Sequence, residues 1–254
     1  MKQIILALSF TSAVVLSSCD KNNDGQPQPK GSIQFGEPVQ VGNGKARSFF
    51  EPNDNNHPET IGIAIDEAAL ENLPAHETFF VLPLLQVVKE TTPYNHISLD
   101  WNPHGHGPAT IYDKPHFDMH FYMIDEAEKN GIDTTKPELN ILPDSSFLPP
   151  FYVPEASGVP KMGKHWVDIT SPELNPEHPV PFTSTFVYGT YNGKVIFHEP
   201  MITRDFLLTK PDTLVNIRQP MQVRTPGHYP TKYQVRFDDE TKQWRIILRD
   251  FEHR

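Results

Sequence analysis

The chain has 254 residues, a length that suits one large domain or two small ones. Its 32 acidic residues outnumber its 22 basic ones and give a net charge of -10, which argues against nucleic acid and anionic lipid as binding partners. Cys19 is its one cysteine, so no disulfide can form within the chain.

Residues 1–18 have the pattern of a bacterial lipoprotein signal peptide. Lys2 provides a positive start, and residues 4–15 form an apolar stretch that is too short to cross a bilayer as a helix. The small residues before Cys19 resemble the lipobox of bacterial lipoproteins. That resemblance implies cleavage before Cys19 and acylation of this residue. The alternative is an ordinary signal peptide that happens to contain a cysteine.

Acylation of Cys19 predicts an extracytoplasmic protein, in the periplasm or on the cell surface, that is held to the membrane by its lipid. Without Lys2 the mature chain has 21 basic and 32 acidic residues, a net charge of -11, so the lipid rather than the protein surface would provide the attachment. The mature chain would have no free thiol. A transition-metal site would therefore depend on His, Asp and Glu.

Residues 19–31 are expected to be a flexible tether. The segment 20–31 reads DKNNDGQPQPKG and contains no apolar residue. The rest of the chain, 32–254, is expected to be a single domain. Its many prolines (the whole chain has 26) divide it into short strands and loops.

The predicted elements of the first half are mostly strands. In chain order they are strands at 32–36, 38–42, 46–50 and 60–65, a short helix at 66–73 capped by Asp66, a bent or paired strand at 78–88, and a strand at 96–101. Alternation in the last of these places His96, Ser98 and Asp100 on one face.

The second half continues with hairpins. The predicted elements are a strand at 115–124, a short helix at 125–131, a long Pro-rich loop at 133–160, a hairpin at 182–201 that turns at Asn192-Gly193, a helical turn at 203–208 and a final hairpin at 233–248. The whole pattern predicts a mainly β fold, an antiparallel barrel or sandwich with a few short helices and long Pro-rich loops.

The strand at 115–124 carries the candidate site. One face holds four polar groups, His116, Asp118, His120 and Tyr122, and the other face is apolar. Neighbours on one face of a strand are roughly 6.6 Å apart, so Asp118 could share an ion with either histidine. His116 and His120 are roughly 13 Å apart on a straight strand and could bind one ion only by converging on it.

Other segments offer further ligands for the same site. The loop around His104 and His106 is rich in Gly and Pro and could fold over the strand face. His165 follows the Pro-rich loop. His198 and Glu199 are adjacent on a strand and must point in opposite directions, and we favour Glu199 as the one that faces the site.

These patterns predict a metal site with six candidate residues. They are His106, His116, Asp118, His120, His165 and Glu199. A set of histidines with one or two carboxylates suits one divalent transition metal, Zn²⁺ or iron. Asp118 could instead orient an imidazole. Two alternatives stay open, a buried hydrogen-bond network without metal and a set of unrelated surface histidines. His104 and Tyr122 could lie inside or outside the site.

Several longer motifs resemble a family of secreted bacterial proteins that share a domain of unknown function. The motifs are DWNPHGHGP at 100–108, PHFDMHFY at 115–122, GVPKMGKHWVD at 158–168, FTSTF at 182–186, EPM at 199–201 and PGHYPTKY at 226–233. The resemblance covers nearly all of 32–250 and implies one extracytoplasmic β-rich domain. It also marks the six candidate positions, but it implies no reaction.

Two classes of function follow from these predictions. The first is a metal-dependent enzyme of the envelope, with Tyr122 as a candidate proton donor. The second is a non-catalytic structural or ligand-binding module. The chain has no Gly-x-Ser-x-Gly elbow, phosphate loop or dinucleotide motif. It allows a homo-oligomer and a small-molecule ligand, and it identifies neither.

Overall fold

The computed structural model describes residues 31–254. The predicted signal peptide, Cys19 and nearly all of the predicted tether lie outside these residues. The strands, in chain order, are β1 (Gln34–Phe35), β2 (Val39–Val41), β3 (Gly44–Pro52), β4 (Pro58–Asp66), β5 (Thr78–Pro83), β6 (His96–Asn102), β7 (His116–Tyr122), β8 (Tyr152–Pro154), β9 (Lys164–Asp168), β10 (Ser184–Tyr191), β11 (Lys194–Thr203), β12 (Asp212–Asn216), β13 (His228–Asp238) and β14 (Gln243–His253).

Helices are short and few in this part of the chain. The α-helices are α1 (Gln86–Thr91), α2 (Glu126–Asn130) and α3 (Arg204–Leu208), and 3₁₀ turns occupy Glu67–Leu70, Pro137–Asn140, Ser145–Phe147 and Pro172–Leu174. Within residues 31–254, no helix combines the length and the hydropathy that a membrane crossing would need.

The strands form two seven-stranded antiparallel sheets, which confirms the predicted mainly β fold. The first sheet has the order β1-β3-β4-β14-β13-β12, with β2 also paired to β3, and the second has the order β5-β6-β7-β11-β10-β9-β8. Of the two predicted forms, barrel and sandwich, the sandwich is the one observed. The largest hydrophobic core takes side chains from both sheets, among them Ile63 and Ile246 from the first and Leu99 and Met119 from the second.

The two predicted hairpins are present. Asn192 and Gly193 have φ values of 49° and 71°, the left-handed conformation that a type I′ turn requires between β10 and β11. The final hairpin is longer than predicted, because β13 and β14 pair from His228 with His253 to Asp238 with Gln243.

Three local predictions need correction. The segment 78–88 is not a bent strand, because β5 ends at Pro83 and α1 begins at Gln86. The helix predicted at 66–73 is one 3₁₀ turn, and the Asp66 carboxylate bonds to Lys45 and Gln243 instead of capping it. The 133–160 segment contains two 3₁₀ turns and β8, which pairs with β9 at the edge of the second sheet.

Candidate metal centre

The candidate site lies on the outer face of the second sheet. Phe117, Met119 and Phe121 of β7 pack into the core between the sheets. His116, Asp118 and His120 therefore point to the opposite face, as the alternation of the sequence predicts. All three are buried. Buried polar side chains on this face imply specific partners, since an unpaired buried polar group is costly.

The register of the sheet brings the partners to β7. On one side, β6 pairs Ser98 with His120 and Asp100 with Asp118. On the other side, β11 pairs Met201 with Asp118, which puts Glu199 on the same face and next to His120. These contacts join strands that are distant in sequence.

His120, His165 and Glu199 form the first of two groups that could hold a metal ion. His120 Nε2 lies 3.5 Å from Glu199 Oε1, and His165 Nε2 lies 3.5 Å from Glu199 Oε2. His120 and Glu199 are fully enclosed, and neither His120 Nε2 nor Glu199 Oε2 has a hydrogen-bond partner among the described residues. Together with His165, these side chains place three possible ligand atoms close enough to one another to bind a cation.

The other ring nitrogen of His120 faces Asp100. His120 Nδ1 is 3.0 Å from Asp100 Oδ2 in an ion-pair contact that falls outside good hydrogen-bond geometry. The hydroxyl of Ser98 donates to the other oxygen of Asp100. A carboxylate behind a histidine fixes its tautomer and orientation, which is a common arrangement around metal ligands.

Gly189 makes room for the Phe197 ring, which contacts both histidines. A Cβ atom at Gly189 would lie 2.0 Å from Phe197 Cζ. The Phe197 ring packs against His120 at 4.7 Å and against His165 at 5.2 Å, measured between ring centroids. His165 is opposite Gly189 in the β9–β10 register, so this glycine lets Phe197 position both imidazoles.

His106, His116 and Asp118 form the second group that could hold a metal ion. Asp118 Oδ2 lies 3.1 Å from His106 Nε2, and Asp118 Oδ1 lies 3.0 Å from His116 Nε2. Lys114 O lies 2.6 Å from His116 Nδ1, and Asn102 donates to Asp118 at 2.8 Å. His106 has 42% of its side chain exposed, so this group is more open to solvent than the first, where His165 has 12% of its side chain exposed.

Charge and burial give the two groups different proton affinities. Burial raises the pKa of Glu199 well above its usual value, and the nearby Asp118 and Asp100 charges raise it further. Burial lowers the pKa of His165 to about 3. Burial opposes protonation of His106 as well, but Asp118 outweighs it and raises the pKa of His106 to about 9. In the first group, His165 is thus neutral near pH 7, the form of an imidazole that binds metal.

A cavity of about 470 Å³ adjoins both groups. His106, Asp118 and His165 form part of its wall, and the rest is mostly apolar, with Glu155 at one side. Glu155 belongs to the Pro-rich segment, so this loop covers the site. Burial raises the pKa of Glu155, and the Asp118 charge adds to the effect.

The six predicted residues thus lie together but divide into two groups of three. His116 and His120 do not converge on one point, in agreement with their spacing along a straight strand. His104 is exposed and belongs to neither group. The Tyr122 ring stacks on His120 at 5.5 Å and burial raises its pKa, so this residue packs against the site.

Sequence reasoning did not include Asp100 and Glu155 in the site. The alternation of 96–101 places Asp100 on one face with Ser98 and His96, and that signal could have identified it. Glu155 stands in a segment without periodicity, where nothing distinguishes it from other loop acids.

One comparison with known proteins gives a match. Residues 53–101 match the model of a family described as TTHB210-like, Hypothetical protein TTHB210. The match covers less than half of the chain and agrees with a resemblance to uncharacterised proteins. It does not extend to the motifs from 115 onward. No curated protein and no solved structure matches the chain.

Proposed function

We propose that the protein is a lipid-anchored metal-binding protein of the bacterial envelope, in which His120, His165 and Glu199 hold a divalent transition metal. The observation that carries the proposal is the 3.5 Å spacing between Glu199 and each imidazole nitrogen. A tetrahedral ion with bonds of about 2.0–2.1 Å has ligands about 3.3–3.4 Å apart. Direct hydrogen bonds would bring the same atoms closer.

The donor set limits the metal to a few candidates. Two histidines and one carboxylate suit Zn²⁺ in hydrolytic enzymes and Fe²⁺ in oxygenases. Three protein ligands leave further coordination positions open, which is typical of catalytic sites. His165 forms part of the wall of the 470 Å³ cavity, so a small molecule could approach the ion from there. Access of this kind favours a reactive or ligand-binding role over a structural one.

Placement in the envelope rests on the N-terminal sequence. Residues 1–18 and Cys19 have the features of a lipoprotein signal, and the motifs from 100 to 233 resemble those of secreted bacterial proteins. The acidic charge of the chain supports attachment through a lipid rather than through the protein surface.

A second candidate is a hydrogen-bonded histidine network without metal. The contacts that favour it are those of Asp118 with His106 at 3.1 Å and with His116 at 3.0 Å, both short enough for direct pairing. In that case the network would stabilise the sheet, and chelators would have no effect on stability.

Elemental analysis of the purified protein tests the first proposal against the second. We expect one equivalent of zinc or iron in the wild type and its loss in Glu199→Gln and His120→Ala. His178→Ala, at an exposed histidine outside both groups, is the matched control and should retain the metal. A metal-free wild type whose melting temperature is unchanged by a chelator would favour the network.

A further inference from the structure

A second cavity lies on the opposite side of β11 from the candidate metal centre. It has a volume of about 230 Å³ and is bounded by the β10–β11 hairpin, the end of β7 with α2, and the segment 219–229. His198 and Glu199 are consecutive on β11. Because strand neighbours point to opposite faces, Glu199 belongs to the metal centre and His198 lines this cavity.

His198 presents one ring nitrogen without a protein partner. The residue is 4% exposed, and Tyr94 Oη lies 2.6 Å from its Nδ1. Among residues 31–254, no side chain or backbone group is bonded to its Nε2. An unpaired imidazole nitrogen that faces a cavity is available there to water or a ligand.

Tyr94 holds the imidazole of His198 in place. Its hydroxyl lies 2.6 Å from Nδ1 and occupies that nitrogen. The Tyr188 ring packs against the imidazole, with the ring centroids 4.5 Å apart. Nε2 is therefore the nitrogen that His198 offers to the cavity for a hydrogen bond.

The rim of the cavity carries a cation without an acidic partner. Arg224 donates to Gly193 O at 3.1 Å and lies 5.3 Å from the centre of the Phe147 ring, and no carboxylate of the described residues pairs with it. The neighbouring Lys194 is compensated by Glu128 at 3.9 Å. Arg224 is exposed, so its guanidinium is available to pair with an anionic group of a ligand in the cavity.

We propose that this cavity binds a small aromatic carboxylate whose ring carries a hydroxyl group. The carboxylate pairs with Arg224 at the rim, and the hydroxyl group forms a hydrogen bond with His198 Nε2 at the floor. The aromatic walls supplied by Tyr188 and Tyr229 suit a flat ring. The volume is adequate, since a cavity of about 150 Å³ is known to hold benzene.

Binding of 4-hydroxybenzoate, followed by ligand-observed NMR and calorimetry, tests the proposal. Two matched probes separate the contacts, because benzoate lacks the hydroxyl and 4-hydroxybenzamide lacks the charge. We expect each to bind about tenfold more weakly than 4-hydroxybenzoate, as is typical for a lost hydrogen bond to a charged or buried group.

Substitutions of the two protein residues test which end of the ligand each residue contacts. Arg224→Gln should bind the acid and the amide equally well, and His198→Phe should bind 4-hydroxybenzoate and benzoate equally well. Tyr94→Phe keeps the imidazole but removes the hydroxyl that holds it at Nδ1, so it should reduce the preference for 4-hydroxybenzoate over benzoate. This variant serves if His198→Phe does not fold. Arg47→Gln, on the first sheet, is the control and should bind as the wild type does.

Three outcomes would overturn the proposal. They are no saturable binding of any probe, unchanged preferences in both Arg224→Gln and Tyr94→Phe, and loss of binding when the metal is removed with a chelator. The last would place the probe at the metal centre instead. Because the predicted binding is unaffected by the chelator, this test is independent of the proposed metal.

Discussion

His120 connects the candidate metal ligands to the rest of the sheet through its two ring nitrogens. Nε2 faces Glu199, and Nδ1 lies 3.0 Å from a carboxylate oxygen of Asp100. Asp100 is itself fixed by the hydroxyl of Ser98. A negative charge behind the ring favours the tautomer with the proton on Nδ1, in which Nε2 is free to bind a cation.

Asp100→Asn is expected to weaken metal binding without removing a ligand. The amide can present its NH₂ group to Nδ1, which favours the wrong tautomer, and loss of such a partner typically lowers metal affinity by about 10- to 100-fold. Competition with a chromophoric chelator measures the affinity. Asp113→Asn, at an exposed loop position, is the control. Equal affinities for wild type and Asp100→Asn would exclude this role for Asp100.

At the residue scale, the sequence predicts which side chains share a face but not which of them meet. Alternation in 115–124 correctly separates His116, Asp118 and His120 from the core residues. The division into two groups depends on which strands flank β7 and in what register. Strand order and register depend on contacts between distant segments of the chain, so local patterns in one sequence do not predict them.

At the scale of the strand, β10 controls the position of the Phe197 ring. Gly189 faces this ring so closely that any side chain would displace it. Phe197 in turn contacts both His120 and His165. A change on β10 should therefore reach the metal ligands of β7 and β9 through one aromatic ring.

Gly189→Ala is expected to destabilise the protein by about 1–3 kcal/mol, the usual cost of overpacking a filled interior. It should also lower the metal content, because Phe197 must move against the two imidazoles. Thermal unfolding and elemental analysis measure the two effects. Gly131→Ala is the matched control, since a Cβ there meets no atom closer than 3.4 Å. A stable Gly189→Ala variant with full metal content would contradict the proposed role of Gly189.

The sequence predicts strands and turns correctly where a short motif determines the backbone conformation. Asn192-Gly193 defines its hairpin because few other residues adopt positive φ. It fails at 78–88, where an apolar run suits both a strand and a buried helix, and the structure contains one of each. Proline at position 83 ends the strand, and the helix starts three residues later.

At the scale of the whole molecule, the second sheet separates two different environments. Its outer face carries the candidate metal groups, and its inner face carries His198 and its cavity. The first sheet closes the core from the other side. Composition and turn frequency predict this mainly β class. The pairing of β7 with β6 and β11 could not be predicted, because it joins distant segments, as with His116 and Thr203, which are 203 − 116 = 87 positions apart.

The lipid anchor is a prediction about the whole molecule in its membrane. Cys19→Ser should prevent acylation, because the serine hydroxyl does not replace the thiol in this processing. The variant should then partition into the aqueous phase instead of the detergent phase. Mass spectrometry of the mature N-terminal peptide and detergent partitioning measure the change. An unmodified Cys19 thiol in the wild-type protein would show that the signal is an ordinary one.

Anomalous scattering from a crystal of the wild-type protein, recorded at the zinc and iron edges, tests the metal centre most directly. We expect one peak within about 2.0–2.2 Å of His120 Nε2, His165 Nε2 and a Glu199 oxygen. No peak at that point, with the three side chains bonded to one another or to water, would contradict the proposed metal-binding function.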